Sequence, residues 1–126
     1  MSHLSTVIII AAATVANVGV RDVMDAMIIP ASNALFDVGR QAPESDEEWL
    51  ALRKQAVILV EAGRALTIDS RSRGIAWDNW SEALSAAGQS AINAIDNRDA
   101  DGALDAGNAL IETCTDCHLQ HLPAGN

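Results

Sequence analysis

Four stretches of the chain repeat apolar and small residues at alternating steps of three and four. This period places side chains on one face of an α-helix. The second stretch shows it most regularly, in the series Trp49, Leu52, Ala56, Leu59, Gly63 and Leu66. No stretch alternates apolar and polar residues as a half-buried strand does. Tyr is absent and Phe occurs once, which also disfavours a sheet. We therefore predict an all-α fold.

Breaks in this period predict where the four helices end. Pro30 lacks a backbone donor and crowds the preceding turn, so it predicts a kink or local break in the first helix. Ser45 and Glu48 have the spacing of a capping box at the start of the second helix. The polar segments Asp69–Gly74 and Asn97–Asp99 predict the next two connections. Helices of about 30 Å joined by short loops favour an antiparallel up-down-up-down four-helix bundle.

The N-terminal segment is apolar and free of charged side chains. Residues 4–13 are too few to span a bilayer as a helix, but they match the length of a signal-peptide core. Small residues at Thr14 and Ala16 suit cleavage after Ala16, although the segment lacks the usual basic residue before its core. We expect residues 1–16 to be an export signal and residues 17–126 the bundle domain. A first helical turn or a retained membrane anchor are the alternatives.

The charge of the chain limits the partners it can bind. Its 126 residues suit one domain, and 17 acidic against 8 basic side chains give a net charge of -9. Such a surface repels nucleic acid and anionic lipid. It favours a partner protein with a basic docking patch.

The two cysteines of the chain stand three residues apart and are followed at once by a histidine. Cys114, Cys117 and His118 form the pattern of covalent haem attachment. Two thiols on one helix face can reach the two vinyl groups on one edge of the macrocycle. The adjacent imidazole is then an axial ligand for the iron. We expect one haem c per chain.

Three other uses of these residues stay open. A redox-active dithiol also uses this cysteine spacing, but it usually follows a strand in a βαβ unit, which this sequence lacks. Zinc could use Cys114, Cys117, His118 and His121, but the ends of that series lie about 10 Å apart on one straight helix. A disulfide between cysteines three apart on a helix would distort the turn.

A haem-attachment motif near the C-terminus of a four-helix bundle resembles the class II cytochromes c, the family that includes cytochrome c′. The similarity extends from about residue 18 to residue 122, and its most specific part is the motif itself. The segment Val23–Met27 followed by Pro30 is similar to the first helix of this family. The resemblance implies that this helix supplies the side chain on the open face of the haem. Family members often dimerise through their first two helices, so a homodimer is a further expectation.

Members of the family differ in that distal side chain. By resemblance, Met24 stands at the distal position and would be the sixth iron ligand, with Met27 as second choice. Met ligation raises the reduction potential and occupies the position where gases bind. The alternative for both residues is core packing, the usual role of Met on an apolar stripe. Core packing is also the simplest role for Trp49, Trp77 and Trp80.

The resemblance fails at two positions after the haem motif. Family members commonly have an aromatic residue where this chain has His121 and a basic residue where it has Leu122. We expect His121 to face solvent near the haem edge, because it lies one turn from His118 on the same helix.

Taken together, the residues and the resemblance predict a periplasmic mono-haem cytochrome that transfers one electron with His/Met-ligated iron. The alternative is a five-coordinate protein that binds nitric oxide or other small gases. No arrangement of catalytic acid, base or nucleophile is evident, so we do not predict an enzyme.

Overall fold

The computed structural model describes residues 7–8 and 17–122, and all secondary structure in these ranges is helical. Helix α1 covers residues 20–39, α2 is Asp46–Ala65, α3 is Ile75–Asp96 and α4 is Ala100–His121. The predictions of four helices and no strand are confirmed for this part of the chain. The predicted export signal, residues 1–16, lies outside the described residues except for Val7 and Ile8.

Helix α1 is irregular, and its irregularity lies beside Pro30. It begins as an α-helical turn at Val20–Val23, widens to a π-helix at Met24–Ile28 and returns to an α-helix at Ile29–Phe36. A 3-10 turn at Asp37–Gly39 ends it. Because Pro30 has no N–H to continue the α-helical series, a change of hydrogen-bond register just before it carries little cost. The predicted local break is confirmed as this wide turn.

Capping residues determine where the other helices begin. Ser45 Oγ accepts a hydrogen bond from the Glu48 N–H at 3.2 Å, and Glu48 Oε2 accepts one from the Ser45 N–H at 3.3 Å. This is the predicted capping box at the start of α2. Asp99 caps α4 by accepting the Gly102 N–H at 2.9 Å. Gly74 precedes α3 with φ +105°, a backbone conformation that favours glycine.

The core lies among all four helices. The largest fully buried side chains are Leu35, Leu59, Ile95 and Leu110, one from each helix. Burial of a side chain of this size stabilises the fold by about 1.5–3 kcal/mol. Contacts join α2 with α3, α3 with α4, and α1 with both α2 and α4, a pattern compatible with a helical bundle.

None of the helices described between residues 17 and 122 combines the length and apolar character that a membrane span requires.

Candidate functional site

A cavity of about 790 Å³ opens between α1, the first part of α3 and the last turns of α4. This volume falls in the range of small-molecule and cofactor pockets, roughly 300–1,000 Å³. Its walls are mostly apolar, and all three helices contribute to them through side chains such as Met24, Ile28, Phe36, Trp77, Leu84 and Ile111. The cavity therefore suits a large, mainly apolar group.

The three residues of the predicted haem-attachment motif line this cavity together. Cys114, Cys117 and His118 lie in the last turns of α4, where their spacing of three and four puts them on one face. Both cysteines are half-buried, and Cys114 also packs against the core. His118 is exposed. The structure thus presents two thiols and one imidazole at a single wall.

The two cysteines are free thiols in a setting that favours the protonated form. Burial raises the pKa of Cys114, and the neighbouring Cys117 raises it further. Burial alone raises the pKa of Cys117. Redox-active dithiols have the opposite property, a lowered pKa that makes one sulfur a thiolate. The site therefore gives the dithiol alternative no support.

The zinc alternative meets an obstacle in the helix itself. Cys114, Cys117, His118 and His121 all belong to one uninterrupted α-helix, Ala100–His121. Residues seven apart on such a helix are separated by about 10 Å along its axis, whereas zinc ligands lie about 2 Å from the metal. Between residues 17 and 122, no group of three or more His, Cys, Asp or Glu side chains is placed to hold a metal ion.

The structure separates the two methionines proposed as distal ligands. Met24 begins the π-helical stretch of α1 and lines the same cavity as the haem motif. Met27 is half-buried and packs against the core without lining that cavity. π-Helical turns are rare and frequently occur at functional sites. Of the two methionines, Met24 is therefore the one placed to act as a ligand, because it lines from α1 the cavity that the motif lines from α4.

His121 and two tryptophans form the end of the cavity nearest the C-terminus of α4. The His121 ring meets the Trp77 ring edge to face, with 5.1 Å between centroids and 80° between planes. His121 is half-buried and its Nε2 is fully buried, so the expectation that it faces solvent is wrong. The packing of α4 against α3 brings His121 onto Trp77. Trp77 and Trp80 line the cavity. Trp49 lies far from it, where α2 begins and α3 ends, and the Arg98 guanidinium lies over its ring.

Several polar residues of the cavity were not predicted from the sequence, and three of them stand out. Ser32 on α1 is buried, and its Oγ has no hydrogen-bond partner among the described residues. Arg21 and Arg73 also line the cavity, with the Arg73 guanidinium 5.8 Å from the Trp77 ring centroid. The basic residue that the resemblance expects after His121 is replaced by Leu122, and the basic side chains here come from α1 and from the loop before α3. Nothing in their local sequence marks these three residues as lining a cavity.

Comparisons of the chain with protein-family models, with curated proteins and with solved structures found no match.

Proposed function

We propose that this chain is a mono-haem c-type cytochrome whose function is one-electron transfer. The observation that carries the proposal is that Cys114, Cys117, His118 and Met24 line one apolar cavity of about 790 Å³. In this proposal the cysteines hold the haem by thioether bonds, His118 is one axial ligand and Met24 is the other. Haem, when bound, supplies an iron that cycles between the ferric and ferrous states.

The size, polarity and donor set of the cavity all suit that group. The volume and the apolar walls match a flat macrocycle that is hydrophobic except at its carboxylates. Imidazole and thioether are established haem-iron donors.

The residues of the chain itself prepare the site in three ways. Burial raises the pKa of the Cys114 and Cys117 thiols, which favours their protonated form. His118 follows Cys117 directly in the last turns of α4 and lines the cavity, where its imidazole can ligate iron. Apolar side chains of α1 and α3, such as Ile28 and Leu84, form much of the cavity wall. Low polarity around the iron and a thioether ligand both raise the reduction potential.

The up-down-up-down arrangement of the helices belongs to the same proposal. It is supported by contacts in which the residue number rises along one helix while it falls along its neighbour. Between α2 and α3 these contacts are Arg53–Asp96, Val60–Ser85 and Leu66–Trp77. Between α3 and α4 they are Trp77–His121, Trp80–Gln120 and Ala94–Gly102. Between α1 and α4 they are Phe36–Gly107 and Gly39–Leu104.

We also propose export to the periplasm and docking to a redox partner with a basic patch. The support is the apolar N-terminal segment together with the net charge of -9. Association should then weaken as salt is added, because exposed charges are screened. Electron-transfer rates to a basic and to an acidic redox protein, measured against ionic strength, test this point. A faster reaction with the acidic protein would contradict it.

Optical spectroscopy of the haem-loaded chain tests the ligand set. We expect a low-spin spectrum in both oxidation states that carbon monoxide leaves unchanged, because Met24 occupies the sixth position. Met24→Ala should convert the iron to a high-spin form that binds carbon monoxide. Met27→Ala is the matched control, since Met27 lies outside the cavity wall, and it should keep the wild-type spectrum.

A wild-type spectrum that is high-spin and shifts with carbon monoxide would overturn the Met24 ligand. The distal position would then be open, and the gas-binding alternative would replace electron transfer as the proposed function.

A further inference from the structure

Arg71, in the loop between α2 and α3, joins the start of α1 to the end of α2. Its Nε–H donates a hydrogen bond to the Val18 carbonyl at 2.9 Å, and its Nη1 donates one to the Ala65 carbonyl at 2.7 Å. Only 12% of the side chain is exposed. Val18 stands two residues before α1 begins, and Ala65 is the last residue of α2. One guanidinium therefore links two segments that are far apart in the chain.

The chemistry of this link makes it strong and directional. The final carbonyls of a helix have no partner within the helix, and a cation beside them also complements the helix dipole, so Ala65 is a favourable acceptor for Arg71. Hydrogen bonds from a charged donor are stronger than bonds between neutral groups. The N–H groups of a guanidinium are held in a rigid fork. The two bonds of Arg71 therefore fix where the backbone at Val18 lies relative to the end of α2.

The first turn of α1 depends on such anchors. It consists of the four residues Val20–Val23, and Met24 follows it directly as the first residue of the π-helix. A turn this short is not stable by itself. The buried side chain of Val23 attaches it to the core, and the bond from Arg71 to Val18 attaches the backbone that precedes it. The two anchors together determine where Met24 stands on the cavity wall.

We propose that Arg71 is a positioning residue that keeps Met24 in place as the distal ligand. The inference rests on the proposed function, because it takes Met24 as the sixth ligand of the haem iron. While Arg71 holds Val18, the first turn of α1 stays against the end of α2 and Met24 stays on the cavity wall. Without Arg71 the turn loosens, and the thioether is away from its bound position for a larger fraction of the time.

Variants of the haem-loaded full chain test the proposal by hydrogen exchange and by optical spectroscopy. Arg71→Met keeps an unbranched side chain but removes both donors. Amide hydrogen exchange in residues 18–24 should accelerate about tenfold, the factor expected from the loss of one hydrogen bond to a charged group. The charge-transfer band between methionine and ferric iron should weaken, and carbon monoxide should bind the ferrous form. Arg64→Met is the matched control. It removes an exposed arginine that pairs with Glu61 on the same helix at 2.8 Å, and it should change neither property.

The outcomes separate the inference from the function on which it rests. If the wild-type chain is low-spin and resists carbon monoxide, and folded Arg71→Met keeps that spectrum, the positioning role is refuted and the cytochrome proposal stands. This holds even where exchange in α1 accelerates, because a merely structural bond would do the same. If the wild-type chain carries no haem, both fail. Should Arg71→Met not fold, Arg71→Lys decides the question. Its ammonium cannot place donors at the Nε and Nη1 positions together, so the band should weaken to a smaller extent, and a wild-type spectrum would overturn the inference.

Discussion

Gly63 lies where α2 approaches α3 closely, and the contacts around it define the effect of Gly63→Ala. A Cβ at this position would lie 2.1 Å from Ser85 Oγ, 2.6 Å from the Ser81 carbonyl oxygen and 2.9 Å from the Ser85 backbone N. The serine hydroxyl can rotate away, but the two backbone atoms cannot. Ordinary contact begins at 3.4 Å, so the backbone of α3 must withdraw by about 0.8 Å from its 2.6 Å contact.

The energetic cost of Gly63→Ala combines three contributions. Overpacking of a core costs about 1–3 kcal/mol. The hydrogen bond from Ser85 Oγ to the Val60 carbonyl, 2.7 Å long, is lost if the hydroxyl turns away, at about 1 kcal/mol. Replacing Gly by Ala in a helix returns about 1 kcal/mol. We expect a net loss of about 2 kcal/mol in the free energy of unfolding.

Urea denaturation followed by helical circular dichroism measures this loss, and the chain contains its own control. A Cβ at Gly107, also buried within a helix, would lie 3.7 Å from both the Leu35 carbonyl oxygen and Phe36 Cδ1. Gly107→Ala should therefore leave stability unchanged or raise it by about 0.5–1 kcal/mol. If Gly63→Ala proves as stable as Gly107→Ala, the close approach of α2 and α3 at Gly63 is refuted.

Three further substitutions test the site, a surface ion pair and a helix cap. Trp77→Phe leaves the Leu66 carbonyl without its donor, and urea denaturation should show a loss of about 2 kcal/mol. Arg53 hydrogen-bonds Asp96 at 2.8 Å and lowers the pKa of that carboxyl. The pKa of Asp96 is therefore lower in the folded chain than in the unfolded chain. The ion pair stabilises the fold above about pH 4, and this contribution is lost as the pH falls through the folded pKa. Asp96→Asn should therefore be less stable than wild type at about pH 7, with the difference vanishing in acid. Ser45→Ala removes the cap of α2 and should cost about 1 kcal/mol in thermal or urea unfolding.

Each of these has a control and a result that would count against it. Trp80→Phe removes an exposed hydrogen bond to Gln120, so it should cost less than Trp77→Phe, and equal losses would argue against the buried bond. Asp105→Asn changes an exposed carboxylate elsewhere on α4, and it should not reproduce the pH profile of Asp96→Asn. An unchanged stability of Ser45→Ala would mean that the capping box does not stabilise α2.

The helices and their ends could be predicted because local rules determine them. The three-four period marks a helical face wherever the chain lies, and the capping box of Ser45 and Glu48 works within a single turn. Pro30 predicted a break because a missing N–H has the same effect in any helix, and the structure has a π-helix beside it. The shared face of Cys114, Cys117 and His118 likewise follows from helical geometry alone.

The inner wall of the cavity could not be predicted, because it depends on how whole helices tilt and rotate against one another. His121 was expected to face solvent from its distance to His118, yet the packing of α4 on α3 brings it against Trp77. In the sequence, Ser32 is a single polar residue on a predicted helix. Only the placement of α1 against the other helices shows that it lines the cavity. Contacts between residues far apart in the chain, such as that of His121 with Trp77, accompany these placements, and no local pattern encodes them.

The central claim is that Cys114 and Cys117 hold one haem, and intact-mass spectrometry tests it most directly. The chain should be produced with its N-terminal segment in a host that attaches haem to cytochromes c, then extracted with acidified organic solvent to remove unattached haem. We predict a mass equal to the chain, with or without residues 1–16, plus one haem, and none of this addition in a Cys114→Ala/Cys117→Ala variant. A wild-type chain recovered folded at the mass of the polypeptide alone would contradict the claim.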